Sequence, residues 1–372
     1  MAIYKELVKK VSVPADKKIK QKAYLDNGLL PIIDQGHLLI GGYTDDSTKA
    51  IVCNYPVIVF GDHTKCVKFI AFPFAPGADG IKVLQPKKEI LPKYLYYGTQ
   101  YLTFRMEDKG YARHYQHIEK KELIVPPLPE QERIVARLEE LFSELDKAVE
   151  TLKTTKQQLA VYRQVVLKEA FRDITVKKTI RELSSFVTSG SRGWAKYYAD
   201  TGARFIRITD LTRDSITLKN DSIQYVELPN IAEGKRSRLI QGDVLVSITA
   251  DLGSIALIPP NIGEAYVNQH IAMIRFKNTV QSEYMAWYLK SDYGQKDLLK
   301  NKRGGGKLGL GLNDIRDTNV PVTTDSEALK VVSKIDHQLG NCNQIEKTVD
   351  TALQQAEAMR QSILKQAFEG RL

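Results

Sequence analysis

The sequence repeats itself over a long distance, and this repeat constrains the fold more than any other feature. The segment QQLAVYRQVVLKEAFR (157–172) aligns with QQAEAMRQSILKQAFE (354–369) at an offset of 197 residues, and eight of sixteen positions are identical. An offset this large exceeds the ~20–50-residue period of a solenoid. The chain is therefore predicted to be two copies of one half-protein.

Both copies carry a heptad pattern, in which apolar residues recur every three or four positions. This spacing keeps one stripe of a helix facing a partner helix, so we call the stripe the seam. In the first copy the seam is Ile134, Leu138, Leu141, Leu145, Ala148, Leu152, Thr155, Leu159, Tyr162 and Val166. In the second copy it is Val331, Ile335, Gln338, Cys342, Ile345, Val349, Ala352, Ala356, Met359 and Ile363. The pattern predicts two long helices that pack on each other in antiparallel orientation; the alternative is that each packs into its own domain.

The starts of both helices are marked. Pro126, Pro127 and Pro129 precede a Glu-rich turn, which suits the N-terminus of the first helix. Before the second helix, Thr324, Asp325 or Ser326 offers a side-chain oxygen for the N-cap. Gly340 interrupts the second seam and is expected to bend or loosen that helix.

The positive charge lies outside these helices. The formal net charge of +10 divides into +6 for residues 1–125, zero for 126–172, +4 for 173–325 and zero for 326–372. A basic excess confined to two separate segments is typical of two contacts with a polyanion, although many soluble proteins are mildly basic.

The two basic segments also resemble each other in the order of their elements. Each has a strand after a glycine, a β-branched run such as YPVIVF (55–60) or GDVLVSIT (242–249), a third strand, and an aromatic helix. Each then ends in a glycine-containing basic stretch and a final strand. We therefore predict an α+β fold with two similar domains, two long antiparallel helices forming an intramolecular coiled coil, and pseudo-twofold symmetry.

The composition excludes several other classes of protein. No apolar run approaches the ~20 residues that cross a bilayer, and MAIYKELVKK lacks the apolar core of a signal peptide. Cys53, Cys66 and Cys342 form no C-x-x-C pair, which favours reduced thiols in a cytoplasm. We expect a cytoplasmic location in a prokaryote.

Motifs for catalysis are not found in the sequence. There is no Asn/Asp-Pro-Pro-Tyr loop for a flipped adenine and no G-x-x-x-x-G-K-[ST] loop for a nucleotide. The histidines lack zinc-ligand spacing, and Asp45-Asp46 lacks a partner Glu-x-Lys for a nuclease. We expect no catalytic site, no metal and no cofactor in this chain.

The chain resembles the DNA-specificity subunits of type I restriction–modification systems over essentially its whole length. The resemblance rests on VPPLPEQ leading into a helix that ends LKEAF, on a second helix that ends LKQAFEG, and on several phrases within the basic segments. These phrases are GLLPIIDQG, GYTDD, VIVFGDHT and FPFAPGADG in the first, and GARFIRITDL, GDVLVSITADLGSIAL and GGGKLGLGLNDIRDTNVPV in the second. Their order and duplication are more specific than any single phrase.

The resemblance implies a domain organisation and a mechanism. Residues 1–125 and 173–325 would be target-recognition domains, each of which reads one half of a bipartite site in double-stranded DNA. Residues 126–172 and 326–372 would be spacer helices that set the gap between the halves and dock two methyltransferase subunits. Motor–nuclease subunits would join for cleavage, and the partner subunits would bring S-adenosylmethionine, ATP and Mg²⁺.

Three departures from the family pattern are evident. The second long helix starts with VPVTTDSEA instead of a proline-rich LPEQ-like segment, and Gln338 and Gly340 weaken its seam. The first domain begins at Met1, so we expect its N-terminal strand to be missing or supplied by the C-terminal end.

The candidate DNA contacts are cations for phosphates and planar polar or aromatic groups for base edges, all in predicted turns. In the first domain they are Lys17, Lys18, Lys20, Lys22, Tyr43, Thr44, Lys65, Arg113, His114 and Gln116. In the second they are Ser191, Arg192, Trp194, Lys196, Lys235, Arg236, Arg238, Lys302, Arg303 and Lys307. For each residue, a solvated surface position is the competing interpretation.

Other functions stay open on the sequence. The chain could be the specificity component of a standalone methylation system or another restriction enzyme, which neighbouring genes would reveal. A coiled-coil scaffold for proteins would show no salt-sensitive DNA affinity, and an unrecognised nuclease would nick DNA alone in the presence of metal.

Overall fold

A computed structural model describes residues 1–78, 80–106, 113–228, 232–300, 302 and 309–372, with the backbone only at 232, 233 and 235. The chain divides into two compact units. Unit 1 comprises Met1–Lys153 and Asp350–Leu372, and unit 2 comprises Thr154–Val349. Each unit therefore contains one globular segment and a part of each long helix.

The elements of unit 1 surround a sheet packed against an aromatic helix. Its strands are β1 (Ala2–Ile3), β2 (Val8–Val11), β3 (Leu30–Ile33), β4 (Gly42–Thr44), β5 (Val57–Gly61), β6 (Val67–Ile70), β7 (Ala75–Pro76), β8 (Ile81–Pro86) and β9 (Glu122–Leu123). Its helices are α1 (Tyr4–Leu7), α2 (Pro92–Phe104), α3 (Tyr115–Ile118) and the first part of α4 (Leu128–Ala170).

Unit 2 repeats this succession of elements. Its strands are β10 (Lys177–Thr179), β11 (Ser184–Ser189), β12 (Tyr198–Ala199), β13 (Ala203–Ile206), β14 (Tyr225–Val226), β15 (Val244–Ser247), β16 (Ile255–Leu257), β17 (Ala265–Val267), β18 (Ile271–Phe276) and β19 (Asn319–Pro321). Its helices are α5 (Ile180–Leu183), α6 (Ser282–Lys290), α7 (Asp292–Leu299), α8 (Leu312–Arg316) and the first part of α9 (Asp325–Phe368).

The sheets of the two units correspond in topology. Unit 1 has an antiparallel sheet β2-β8-β5-β6, and unit 2 has the antiparallel sheet β11-β18-β15-β16. A smaller mixed sheet follows in each, β4-β3-β7 or β12-β14-β13-β17, with one parallel pair, β3–β7 or β13–β17. A two-stranded ribbon, β1-β9 or β10-β19, joins the beginning of each domain to its end. The duplication predicted from the helices thus extends to the domains.

The larger sheet buries one face against the aromatic helix in each unit. In unit 1, Ile58 and Phe60 of β5 pack in one cluster with Tyr94 and Leu95 of α2. In unit 2, Val244 and Val246 of β15 share a cluster with the side chains of α6. Burial of these side chains removes apolar area from water, at ~25 cal/mol per Å². The buried aromatic residues of α2 and α6 are therefore part of the core.

The two long helices start as their flanking residues suggest. Helix α4 begins at Leu128, so Pro129 lies in the first turn, where a missing backbone N–H costs no hydrogen bond. Helix α9 begins at Asp325, and the Thr324 hydroxyl accepts a hydrogen bond from the Glu327 N–H at 3.2 Å. Helix α9 continues through Gly340 without interruption.

The long helices run antiparallel within each unit. In unit 1, Arg360 of α9 forms an ion pair with Asp146 of α4, and Arg133 donates to the Leu372 carbonyl at 3.0 Å. In unit 2, Arg163 of α4 contacts Glu346 of α9 at 2.8 Å. Residues further along α4 thus contact residues that come earlier in the C-terminal segment, as antiparallel packing requires. Two α+β domains with two long helices confirm the expected fold class.

The predicted seam lies mostly inside, and it requires four corrections. Ile134, Leu138, Leu159, Val166, Ile335 and Val349 are buried, and Leu141, Leu145, Leu152, Val331 and Ile363 are partly buried. Ala148, Tyr162, Ile345 and Met359, by contrast, are exposed, the last two at 46% and 55%, so their assignment to the seam is wrong. A helix with 3.6 residues per turn drifts away from a strict 3.5-residue repeat. At Ile345 and Met359 the inward position moves to the next residue, which is Glu346 or Arg360, and both form interhelical ion pairs.

The predicted domain boundaries stay a prediction; they are 1–125, 126–172, 173–325 and 326–372. The two compact units do not test them, because each long helix is divided between both units. Among the described residues, no helix is long and apolar enough to cross a membrane.

Candidate nucleic-acid interface

The first group of candidate residues in unit 1 lies on the mixed sheet. Lys17 and Lys22 belong to two single turns, and the N–H of Ile19 between these turns donates to the Pro76 carbonyl of β7 at 3.1 Å. Lys20 and Lys22 are exposed, whereas Lys17 donates to the Ala50 carbonyl. Lys18 is partly buried.

Strand β4 brings two more candidates to the same place. Tyr43 exchanges two backbone hydrogen bonds with Leu25, at 2.9 and 3.0 Å, so the Lys22–Leu25 segment runs beside β4. Thr44 follows on the strand, and its hydroxyl accepts from the Asp46 N–H at 3.2 Å. The mixed sheet therefore gathers the lysines of 17–22 with Tyr43 and Thr44.

A second group in unit 1 surrounds the turn between β5 and β6. Lys65 adopts a left-handed conformation (φ 60°) in this turn. The Asp62 carboxylate accepts from the Tyr115 N–H at 2.9 Å and thereby holds the segment 113–116 beside the turn. Arg113 and Gln116 are exposed there.

His114, however, is not placed to contact DNA. Its side chain is 0% exposed, and Nδ1 lies 3.0 Å from the Asp62 carbonyl oxygen. A side chain without accessible surface cannot touch a base or a phosphate, so the prediction for His114 is wrong. The ring fixes the 113–116 segment to the β5–β6 turn instead.

In unit 2, the loop after β11 carries Ser191 and Arg192 against the mixed sheet. Ser191 forms a parallel bridge with Asn268, and the Gly190 N–H donates to the Asn268 carbonyl at 3.2 Å. A Cβ at Gly190 would overlap the Val267 carbonyl, so this close approach requires glycine. Arg192 is exposed at the surface of the loop.

Trp194 also requires a correction. It is 3% exposed and stacks on Phe205 with ring centroids 5.1 Å apart, while Tyr266 tilts against it at 5.2 Å. The indole thus forms the small core beneath the mixed sheet with Phe205, Val226 and Tyr266. Its apolar area contributes to packing, and the prediction of a DNA contact is wrong.

The neighbouring cations lie around this core. Lys196 is exposed, with Nζ 4.7 Å from the Tyr197 ring centroid. Arg236 and Arg238 are exposed, and Arg238 forms a bridge with Tyr266 of β17. Lys302 is exposed after α7. The Lys235 side chain, Arg303 and Lys307 lie outside the described residues.

Three polar residues near Ser191 were missed in the sequence. Thr249 follows β15, and Gln269 and His270 form the turn between β17 and β18. The Thr249 hydroxyl lies 2.7 Å from His270 Nδ1, and Gly309 bridges to Thr249. A signal existed, because SITAD and VNQH interrupt two buried strands with polar residues.

Some of the positive charge is internal and unavailable to a phosphate. Lys68 Nζ donates to the Asp34 carbonyl at 2.8 Å, and burial lowers the pKa of this lysine. Lys290 donates to the Thr212 carbonyl at 2.8 Å, and burial lowers its pKa to about 8. The exposed cations in the loops around the mixed sheets, by contrast, are accessible to a phosphate. Within the described ranges, no group of three or more His, Cys, Asp or Glu side chains could hold a metal ion.

Two units with one sheet topology, each with exposed cations on its mixed sheet, define a duplicated two-domain recognition protein. The model of the family described as "Type I restriction modification DNA specificity domain" matches residues 5–159 and 179–355. The chain therefore belongs to the family of type I restriction–modification DNA-specificity subunits.

Individual relatives agree with this membership. The type I restriction enzyme EcoBI specificity subunit of Escherichia coli is 24% identical over 282 residues, which are 67% of this chain and 58% of that protein's length. The EcoR124I/EcoR124II specificity subunit of Escherichia coli is 21% identical over 346 residues, covering 88% of this chain and 84% of that protein.

Solved structures show the same fold. A chain of a type I R-M system superimposes with a TM-score of 0.73 at 16% identity, covering 100% of this chain and 97% of that chain. The HsdS subunit from Thermoanaerobacter tengcongensis superimposes with a TM-score of 0.54 at 15% identity, covering 100% and 96%.

Proposed function

We propose that this chain is the non-catalytic DNA-reading subunit of a type I restriction–modification complex. Each globular domain reads one half of a bipartite target in double-stranded DNA. The long helices set the number of base pairs between the halves. The observation that carries this proposal is the repetition of one sheet topology in both units, with exposed lysines and arginines on the mixed sheet of each.

The chemistry supports contact with DNA. Lysine and arginine side chains neutralise phosphates and release counterions, so the affinity should fall steeply with salt. Planar polar groups on the same loops can read base edges in the grooves. The candidates of both kinds are Lys20, Lys22, Tyr43, Arg113 and Gln116 in unit 1, and Arg192, Lys196, Arg236, Arg238 and Lys302 in unit 2.

Membership of the family implies the partners, and the duplicated form of the chain suits two identical ones. One chain with two copies of a helix-and-domain unit can hold two identical methyltransferase subunits, one at each copy. These subunits bring S-adenosylmethionine and modify an adenine in each half-site. Motor–nuclease subunits with ATP and Mg²⁺ complete the complex for cleavage in the prokaryotic cytoplasm.

The test is methylome sequencing of a host that lacks other methyltransferases and expresses this chain with its neighbouring modification subunit. We expect one new methylated-adenine motif made of two short halves and a fixed gap. A soluble, assembled complex that produces no such motif would sink the proposal and favour a helical scaffold for proteins. Neighbouring genes without a motor–nuclease subunit would instead indicate a standalone methylation system.

The role of the helices can be tested separately. Insertion of one heptad into both α4 and α9 keeps the apolar stripes in phase, because the stripe repeats every seven residues. The new methylated motif should keep both half-sites and have a longer gap. An insertion into α4 alone is the matched control and should reduce methylation, since it mismatches the antiparallel contacts. A heptad in both helices with an unchanged gap would show that they do not set the spacing.

A further inference from the structure

The turn between β17 and β18 in unit 2 is held more firmly than an ordinary surface turn. Asn268 is 8% exposed, its N–H donates to the Ile206 carbonyl at 3.0 Å, and its side chain accepts from the His270 N–H at 3.0 Å. Its carbonyl accepts from Gly190 at 3.2 Å. The backbone of Gln269 and His270 is thus fixed from both sides, while their side chains remain partly exposed.

The side chains on this turn orient one another. His270 Nδ1 lies 2.7 Å from the Thr249 hydroxyl, and His270 Nε2 lies 2.9 Å from Gln269 Nε2. A carboxamide nitrogen donates, so this contact pairs the Gln269 amide, as donor, with His270 Nε2. The ring therefore links Thr249 to Gln269.

This arrangement leaves Gln269 with a defined pair of hydrogen-bonding groups. Its Oε1 remains an acceptor, and the second amide hydrogen remains a donor. An acceptor and a donor side by side complement the major-groove edge of adenine, which presents the N6 amino group as donor and N7 as acceptor.

The support beneath Thr249 is also unusual. Ala250 has φ 56°, a left-handed conformation that is costly for a residue with a Cβ. Asp251 holds this turn, because its carboxylate accepts from the Ser254 hydroxyl at 2.8 Å and its carbonyl accepts from the Ser247 hydroxyl. Gly309 bridges to Thr249 on the other side, so the end of the basic stretch KRGGGKLG lies next to the turn.

We propose that Gln269 reads one adenine in the half-site of the second domain, and that His270 and Thr249 are its positioning residues. This inference rests on the proposed function and specifies one residue that reads a base and the base that it reads. Gln269 is neutral, so it neutralises no phosphate charge. Its contribution is therefore to discrimination between base pairs and not to the salt-dependent part of the affinity.

The corresponding segment of unit 1 has a different sequence. Between β7 and β8 the chain is Gly77, Ala78, Asp79 and Gly80, without a carboxamide side chain. A glutamine reaches this region from another loop, where Gln35 Oε1 accepts from the His63 N–H at 3.3 Å. Gln269 thus has no equivalent on the turn of unit 1, and its replacement should alter the second half-site alone.

The experiment is methylome sequencing of the whole complex with Gln269→Ala. We expect the adenine requirement to relax about tenfold or more at one position of one half-site, as for the loss of a bidentate base contact. The other half-site and the gap should stay unchanged. Gln241→Ala, which removes an exposed glutamine of the same domain at the other end of β15 from Thr249, is the matched control and should leave the whole motif unchanged.

A second pair of variants tests the positioning role. Thr249→Val removes the hydroxyl that orients His270, and we expect partial relaxation at the same position as in Gln269→Ala. Thr249→Ser keeps the hydroxyl and should restore the adenine preference. A merely structural role of Thr249 would lower methylation of all sites equally and would not select one position.

The outcomes separate this inference from the proposed function. A wild-type complex without any two-part motif would overturn the proposed function. A wild-type motif that Gln269→Ala or Thr249→Val leaves unrelaxed at every position would overturn the inference alone. If Gln269→Ala abolishes assembly, the comparison of Thr249→Val with Thr249→Ser gives the same decision.

Discussion

The two units differ least where the long helices meet the domains. Phe171 and Phe368 occupy equivalent positions of the internal repeat, and both pack on an aromatic helix. Phe171 lies 5.3 Å from the Tyr284 ring of α6, and Phe368 lies 4.9 Å from the Tyr94 ring of α2. Arg163 and Arg360, also equivalent, each reach an acidic side chain of the other long helix. Duplication has preserved the contacts that hold each unit together.

The units differ more at the start of the long helices. Gln131 of α4 is fully buried, accepts from the Leu91 N–H at 2.8 Å and donates to the Glu89 carbonyl at 3.1 Å. In unit 2 the same connection is reversed, because Gln281 before α6 donates to the Thr323 carbonyl at 3.0 Å. The segment VPVTTDSEA has no equivalent of Gln131, but a glutamine hydrogen bond still connects the start of the long helix to the domain. In unit 2 this glutamine belongs to the domain and not to the helix.

The largest expected effect is the loss of either phenylalanine. Phe171→Ala and Phe368→Ala each leave a cavity among aromatic rings, so each should lower the free energy of unfolding of its unit by about 3–5 kcal/mol. Denaturant unfolding followed by circular dichroism would measure this. Phe186→Ala removes an exposed ring in unit 2 and is the control with little effect. Unequal losses of free energy of unfolding in Phe171→Ala and Phe368→Ala would show that the two equivalent phenylalanines do not stabilise their units alike.

A smaller effect is expected in the pH dependence of stability, in which the buried Lys290 of unit 2 should differ from the buried Lys68 of unit 1. The pKa of Lys290 is about 8 in the folded chain because of burial, against 10.5 when exposed. The unfolded chain binds more protons between these values, so the free energy of unfolding should rise by about 1 kcal/mol from about pH 8 to about pH 9. Lys290→Met should remove this rise.

Lys68 is the matched control for this pH dependence. Burial lowers its pKa too, but the Asp34 carboxylate lies 3.5 Å from Nζ and opposes the shift. Lys68→Met should therefore leave most of the rise in place. Denaturant titrations at several pH values below the range in which tyrosines ionise would distinguish the two lysines. Equal slopes for wild type and Lys290→Met would contradict the prediction.

The smallest effect concerns the difference between the long helices. A Cβ at Gly340 of α9 would meet no atom within 4 Å, and the residue is exposed. Gly340→Ala should stabilise α9 by about 0.5–1 kcal/mol, because glycine loses more backbone freedom in a helix. Ser143→Gly, at the equivalent position of α4, should destabilise by a similar amount. A loss of stability in Gly340→Ala would show that the helix needs the flexibility that the sequence suggested.

Much of the fold could be predicted from local patterns. Buried strands such as Val57–Gly61 and Val244–Ser247 are continuous apolar runs, and the long helices are marked by heptads and by their flanking residues. The candidate site was harder to predict. His114 and Trp194 lie among cations in predicted turns, and nothing local shows that one ring binds Asp62 and the other stacks on Phe205.

The sequence by itself determined the duplication, the α+β character of both domains and the two long helices, because period and composition act over neighbouring residues. The tertiary structure alone decided which polar side chains face outward and which ones meet. Thr249, Gln269 and His270 come together only because β15 pairs with β18 in the larger sheet, with Ser247 opposite Ile271. The seam shifted at Ile345 and Met359 because a packed helix with 3.6 residues per turn drifts away from the strict 3.5-residue repeat that the sequence suggests.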